Sequence, residues 1–220
     1  MSKLFNIDNP LFTILSKICD MLFISIVFVL LCIPVVTIGP AYTALYYAVV
    51  KVIRRERGYI FREFFKSFKL NFKRSAIVGI LFTIIFGILG YDLIFAWGMT
   101  ADTSSTKASL LMGVFLGLTF LALCVFIYVF PILSRFDMTV KQLLKSGIYM
   151  SMKHIHFSVL MIIVNIAAVL GVYFYPPFLF IAPAVTVFVN SFMMEIVFKK
   201  YMPESSGSGE ETGVDEWYLE

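Results

Sequence analysis

The stretch Phe157–Phe198 runs 42 residues with a single charged side chain, Glu195, and it is broken by Tyr175-Pro176-Pro177. As one helix it would be about 63 Å long, twice the roughly 30 Å hydrocarbon core of a bilayer. It must fold back, and the proline pair is the corner, because proline cannot continue a helix that it interrupts. Two spans follow, 157–174 and 178–198. Ala76–Trp97 carries no Lys or Arg and one acid, Asp92, and Ser109–Leu133 carries no charge at all. Each is long enough to cross a bilayer once. Soluble domains are about a quarter charged, whereas this chain is 15% charged and 60% hydrophobic, too few charges to clothe a water-facing surface. An ordinary soluble enzyme is thereby excluded. The 24 Phe and 11 Tyr exclude disorder over most of the 220 residues.

The region 11–53 is also too long for one crossing and is broken at Pro34 and Pro40. An internal repeat resolves it. Pro34-Val-Val-Thr-Ile-Gly39-Pro40-Ala-Tyr-Thr43 and Pro177-Phe-Leu-Phe-Ile-Ala-Pro183-Ala-Val-Thr186 share the pattern P-x-x-x-I-small-P-A-x-T. Each leads through an apolar run to a basic pair, Arg54-Arg55 or Lys199-Lys200. Both regions therefore read as one kind of helical hairpin. The expected fold is an all-α polytopic transmembrane bundle of six spans in three hairpins, about 11–31, 36–53, 76–97, 109–133, 157–174 and 178–198. The alternative is five spans, with 21–53 as one kinked helix. Lys3 and Lys17 ahead of the first apolar run suggest a signal peptide, but the long lead and the missing small-x-small cleavage site read as an uncleaved first span.

Charge placement tests this topology. Of the 18 basic residues, nine lie in 51–75, four in 134–156, and the rest, Lys107 excepted, at the two ends. With six spans these clusters share one side, which the positive-inside rule makes cytoplasmic, together with both termini. Phe61, Phe64, Phe65, Phe68 and Phe72 form a helical stripe flanked by Arg62, Lys66, Lys69, Lys73 and Arg74. This reads as a basic amphipathic elbow lying in the headgroup plane. Thr139–Met152 is a weaker copy, with Leu143, Leu144, Ile148 and Met152. The segment 203–220, with six acids and a Ser/Gly run, reads as a flexible, solvated acidic tail.

Asp92, the one acid well inside a span, is the candidate for a proton or substrate role. Asn165 and Asn190 are the further candidates for substrate contact, against the default of interhelical hydrogen bonding. The helix-break motifs Pro34, Gly39, Pro40, Thr43, Pro177, Pro183 and Thr186 resemble the interrupted helices that mark transporter sites. In the hairpin topology Pro34 and Pro177 fall at the turns themselves, so the turns of tight hairpins are the leading account of these motifs. Glu195 and Lys199 read as a favourable i, i+4 pair at the inner boundary. Gly113 and Gly117 form a GxxxG that suits close helix packing, within the chain or between chains. His154-Ile-His156 lacks further ligands and reads as an interfacial anchor, and Cys19, Cys32 and Cys124 read as apolar packing residues. No metal, cofactor or enzyme site is expected, and the basic loop is explained by topology without nucleic acid.

The run from Leu31-Cys-Ile-Pro34 through Gly39-Pro40-Ala41-Tyr42-Thr43-Ala44-Leu45-Tyr46, followed by a basic amphipathic stretch, resembles the YesL family of bacterial membrane proteins, whose domain has no known function. The resemblance covers Asn9 to about Leu81, the remainder agreeing in hydropathy only. It implies a multi-pass protein of the bacterial cytoplasmic membrane. Through the carbohydrate-uptake and polysaccharide-degradation genes near which members are encoded, it also implies an accessory role in sugar import. The expectation is a non-enzymatic accessory or scaffold protein. Its partners would be the lipid bilayer and either a transporter subunit or a second copy of the chain. The alternative is a small secondary transporter with the proline-broken helices lining its path and Asp92 carrying a proton.

Overall fold

The computed structural model describes residues 10–102 and 106–201. Lys3 and the acidic segment 203–220 lie outside the described residues. Among those residues every regular element is helical, so the chain is an all-α bundle of membrane helices. In chain order they are α1 (Pro10–Leu31), α2 (Ile38–Ala48, continued by a π-helical turn over Val49–Arg54), α3 (Ile60–Asp102), α4 (Thr106–Arg135), α5 (Val140–Lys153), α6 (Ile155–Phe174) and α7 (Ala182–Phe198). Five helical segments are long and apolar enough to cross a bilayer: Ile14–Leu31, Val35–Arg54, Ile60–Met99, Thr106–Arg135 and Ile155–Phe174. The sixth apolar helix, Ala182–Phe198, is shorter.

The two copies of the repeat adopt the same local form. A short 3-10 turn, Val35–Thr37 in one and Pro176–Phe180 in the other, leads into an α-helix. Pro40 and Pro183 fall in the first turns of α2 and α7, where the missing N–H would have had no intrahelical partner and the fixed φ suits the helix. Pro34 and Pro177 are exposed at the turns themselves. The breaks therefore free no mid-helix carbonyls. Thr37 Oγ1 donates to the Pro34 carbonyl at 2.7 Å and to the Leu31 carbonyl, and so closes the first turn. The second start is tied across the bundle, since buried Ser25 of α1 accepts from the Ala184 N–H at 3.1 Å and donates to the Ile181 carbonyl at 3.4 Å.

α2 is the central element. In the window Val35–Arg54, 67% of positions are buried, against 11–17% in the other four long apolar helices. Its principal neighbour is α3, which corrects the expected elbow. Residues 61–74 are not a separate helix in the headgroup plane but the first third of one continuous 43-residue helix. Nothing breaks it, because no proline occurs between Ile60 and Asp102. The phenylalanine stripe is divided as well: Phe64 is fully buried, while Phe61 and Phe65 stay 42% exposed. The inward face of this segment, Ile60, Glu63, Phe64, Ser67 and Ser75, is set by contact with the protein rather than with lipid. Arg62, Lys66, Lys69, Lys73 and Arg74 occupy the outward face.

Lys51 meets Glu63 at one end of the α2–α3 pair, and Gly39 meets Ser75 and Gly79 at the other, so the two helices run antiparallel. The contact at Gly39 is backbone on backbone. A Cβ there would lie 2.2 Å from the Ser75 carbonyl oxygen, and one on Gly79 would lie 3.1 Å from Gly39. Only small residues permit such an approach. Aromatic rings fill the space beside it: Tyr42 lies 5.5 Å from Phe130 and 6.0 Å from Phe126, and Phe82 lies 5.4 Å from Phe126. Gly147 of α5 makes a second close contact, against Val129 of α4. By contrast, nothing lies within 4 Å of where a Cβ would sit on Gly113 or Gly117, so neither packs against another helix of this chain.

α5 covers the residues read as the second, weaker elbow, 139–152. Thr139 and Gln142 form a capping box: the Gln142 N–H donates to Thr139 Oγ1 at 3.5 Å and the Thr139 N–H donates to Gln142 Oε1 at 3.1 Å. Leu143 and Met150 are buried, but Ile148 and Met152 lie on the exposed side.

Gly39→Ala and Gly79→Ala are expected to lower the thermal stability of the detergent-solubilised protein by about 1–3 kcal/mol each, the range for overpacking a close contact. Gly113→Ala and Gly117→Ala, in open space, are expected to leave it unchanged or raised. Melting curves of the four variants check both statements.

Candidate functional site

Glu195 organises the end of the bundle at which α2, α4 and α7 finish. Its carboxylate, 5% exposed, accepts at Oε1 from Arg135 Nη2 and at Oε2 from Arg55 Nη2 at 3.4 Å. The Arg135 side chain is 1% exposed. The expected pairing with Lys199 is thus replaced by two arginines from elsewhere in the chain, and Lys199 lies exposed. The π-helical turn brings the first partner into place. Arg55 N–H bonds five residues back to the Val50 carbonyl at 3.2 Å. This wider turn lets the adjacent Arg54 and Arg55 both face α7. Arg54 Nη1 donates to the Ser191 carbonyl at 2.8 Å, and its guanidinium stands 4.4 Å above the centre of the Phe192 ring. The basic pair ending the first repeat therefore grips the last helix of the second.

A second buried pair closes the neighbouring side. Lys51 Nζ donates to Glu63 Oε2 at 2.9 Å and to the Tyr47 hydroxyl at 3.2 Å. Arg74 pairs with Asp137 between α3 and the α4–α5 turn, and Lys17 pairs with Glu56 between α1 and the α2–α3 turn. In that turn Glu56 and Gly58 take positive φ, 56° and 86°. The hydrogen bond and charge of Lys17 hold the Glu56 carboxyl below its ordinary pKa. Ion pairs thus gather where the chain reverses between spans.

Tyr46 and Asn190 carry the unpaired polarity of the interior. The Tyr46 hydroxyl lies within electrostatic reach of Arg135, Glu195 and Arg54, yet it has no hydrogen-bond partner among the described residues. The Asn190 side-chain amide is buried and likewise unpartnered. Asn165 lies elsewhere, midway along α6, where its Nδ2 donates to the Met161 carbonyl at 2.7 Å. It faces two cavities of about 300 Å³ each, shared with Tyr42 and walled almost wholly by apolar side chains. Thr186 and Pro183 border the first of these. Thr43 is buried and donates to the Gly39 carbonyl at 3.0 Å. Asp92 is half-buried in the outer part of α3, and Lys107 is exposed at the start of α4. No ion pair or hydrogen bond joins them among the described residues. Of the sequence candidates on different helices, Asn165, Pro183 and Thr186 come together at the first cavity. Cys124 is buried as expected of a packing residue, but Cys19 is exposed.

His154 is buried at the α5–α6 junction, with Nε2 3.2 Å from the Tyr201 hydroxyl. Lys153 caps the same cluster, donating to the Tyr149 hydroxyl at 3.1 Å and lying over the Tyr149 and Tyr201 rings. Burial, followed by the charges of Lys200, His156 and Lys153, pushes the His154 pKa below its ordinary 6.5.

Residues 18–93 match the family described as a protein of unknown function, DUF624. No curated protein and no solved structure matches the chain. The matched segment contains Gly39, Gly79, Lys51, Glu63, Arg54 and Arg55, and so covers the α2–α3 pair together with one half of the ionic cluster. Arg135 and Glu195 lie beyond it.

Glu195→Leu is expected to destabilise the protein by about 3–5 kcal/mol, the cost of leaving buried charge uncompensated, and Arg135→Leu/Glu195→Leu to recover part of that loss. Lys199→Ala is expected to be silent. Chemical denaturation in mixed micelles distinguishes the three. The unfolded chain binds a proton at His154 more readily than the folded one does, so stability must fall as pH drops through 6.5 toward the lower folded value. His154→Asn is expected to flatten that dependence in melts recorded between about pH 7 and pH 5.

Proposed function

We propose that this membrane protein is a non-enzymatic accessory or scaffold component of a bacterial cytoplasmic membrane, serving a carbohydrate-uptake system. One observation carries the reading. The four buried Lys, Arg, Asp or Glu side chains among the described residues, Lys51, Glu63, Arg135 and Glu195, are consumed in pairing with one another at the inner end. An ion or sugar crossing the bilayer needs a hydrated polar path, whereas the two clefts beside α6 are lined mainly by hydrocarbon. Charge spent on locking helices together suits a protein that presents a fixed surface to a partner. The outer half of α4 offers such a surface, where Gly113 and Gly117 leave room for a second helix to approach. The link to carbohydrate uptake rests on the family resemblance alone.

A secondary transporter is the second reading. It is favoured by the unpartnered Tyr46 hydroxyl and Asn190 amide, buried on the two repeat-related helices, since transporters place their sites between repeats.

Affinity capture from native membranes is expected to retain a transporter subunit or a second copy of the chain, and Gly113→Ile/Gly117→Ile is expected to release it while the melting temperature holds. Flux into proteoliposomes is expected to be absent for the wild type. Flux abolished by Asp92→Asn or Asn190→Leu would transfer the assignment to the transporter.

A further inference from the structure

α6 is held to the bundle by one end. Its buried residues are Ser158, Met161 and Ile162, and from Asn165 to Phe174 none is buried. The outer half stands away from its neighbours. Near Gly171 the Phe178 ring lies 3.0 Å from the position a Cβ would take. The space left on each side of α6 is a cleft of about 300 Å³. One lies toward α1, α2 and α7, and the other toward α2 and α4. Tyr42, Asn165 and Val169 line both. The combined volume falls in the range of small-molecule sites.

The walls are apolar with three exceptions, the Tyr42 hydroxyl, the Asn165 amide and, in the first cleft, the Thr186 hydroxyl. The Tyr42 hydroxyl and Asn165 Oδ1 have no hydrogen-bond partner among the described residues, and the Asn165 Nδ2 is engaged only with its own helix. Polar groups facing hydrocarbon without partners are costly. A ligand oxygen between them would remove that cost. Asn165 lies about 15 Å from either end of α6, counted at 1.5 Å per residue, so the oxygen must sit near mid-depth. The esters and phosphate of a bilayer phospholipid stay near the boundary, and an ionised head is expensive at that depth. What fits is one hydrocarbon chain with a neutral oxygen.

We propose that the two clefts meeting at Tyr42 and Asn165 form one binding site for a membrane-dissolved, single-chain lipid with a neutral oxygen head, a long-chain acid in its protonated form or the corresponding alcohol. The Tyr42 hydroxyl donates to the head oxygen, the Asn165 carbonyl oxygen accepts from its hydroxyl, and the chain runs beside Val169 between α6 and α7. Because the outer half of α6 has no buried side chain to extract, the site fills from the lipid phase without opening the bundle.

The test uses the full chain in vesicles of phosphatidylethanolamine and phosphatidylglycerol, photolysed with diazirine-bearing palmitic acid, with adducts mapped by peptide mass spectrometry. Adducts are expected to concentrate on 161–172 and 183–187 and to be displaced by excess oleic acid. Tyr42→Phe, which removes one oxygen and no bulk, is expected to reduce them about three- to tenfold, the worth of one hydrogen bond. Ala168→Trp, filling the cleft, is expected to remove them. Ile88→Trp, on the exposed face of α3, is expected to leave them unchanged. A diazirine phosphatidylethanolamine is expected to label the exposed helices evenly. The proposal is overturned if palmitic-acid adducts spread as evenly as those of the phospholipid, if Tyr42→Phe leaves them at wild-type level, or if the phospholipid probe alone concentrates in the clefts.

Discussion

A carboxylate buried among helices is tolerable only if opposite charge reaches it, and at Glu195 that charge comes from two directions. Arg135 arrives from the end of α4 and Arg55 from the turn after α2, so one side chain of α7 fixes the inner ends of three segments at once. Desolvating these groups costs several kcal/mol each, and their attraction roughly repays it. The cluster therefore adds little net stability over an apolar packing of the same shape. Its effect is on uniqueness: alternatives that separate the three segments would strand a charge in low dielectric. Oily helices in lipid lack a hydrophobic force that selects one neighbour over another, so ionic selection of partners does work that a soluble core would leave to burial.

The two repeats show how one local motif serves two positions. In both, a 3-10 turn begins at or beside the first proline of the motif, and the following helix carries the second proline where its lost N–H is harmless. They diverge downstream. The first helix continues through a π turn that aims Arg54 and Arg55 at the second helix, whereas the second ends in Lys199 and Lys200, which face outward. α2 reaches the clefts only through Tyr42 and Leu45, whereas α7 lines the first with Ala182, Pro183, Thr186 and Val187. The enclosed copy tolerates backbone contact at Gly39, and the corresponding residue in the other copy is Ala182, at the edge of the first cavity.

Much of this was legible in the residues. Long uncharged runs give the helices, Tyr175-Pro176-Pro177 gives the corner, and the repeated P-x-x-x-I pattern gives two matching turns. Thr139 with Gln142 gives the start of α5. The rest was hidden for definite reasons. An apolar helix reads the same whether it faces lipid or protein, so nothing in Val36–Ile53 marks α2 as enclosed. A basic, Phe-rich stretch suits the headgroup plane, so the continuity of Ile60–Asp102 was masked by composition, although the lack of proline pointed to it. Glu195 has a plausible partner four residues on and its actual ones 60 and 140 residues away. Tertiary packing overrode the local choice. Gly39 and Gly79 touch across a separation that no spacing rule covers, while the conspicuous GxxxG at Gly113 and Gly117 faces open space among the described residues.

The distribution of polar contacts along the bilayer normal separates two regimes within one small bundle. At the inner end, ion pairs join α2 to α3, α2 and α4 to α7, and α3 to the α4–α5 turn. At the opposite end, Ser25 bonds the start of α7, and α6 meets the Phe178 ring at Gly171. Local opening costs least where few buried contacts must be given up. The outer half of α6 is therefore the element whose position a ligand or a neighbouring helix can shift most cheaply, and the inner cluster is the anchor about which it would pivot. A rigid, ion-paired base with a yielding apolar flank leaves one end of the bundle in place while the other end of α6 adapts.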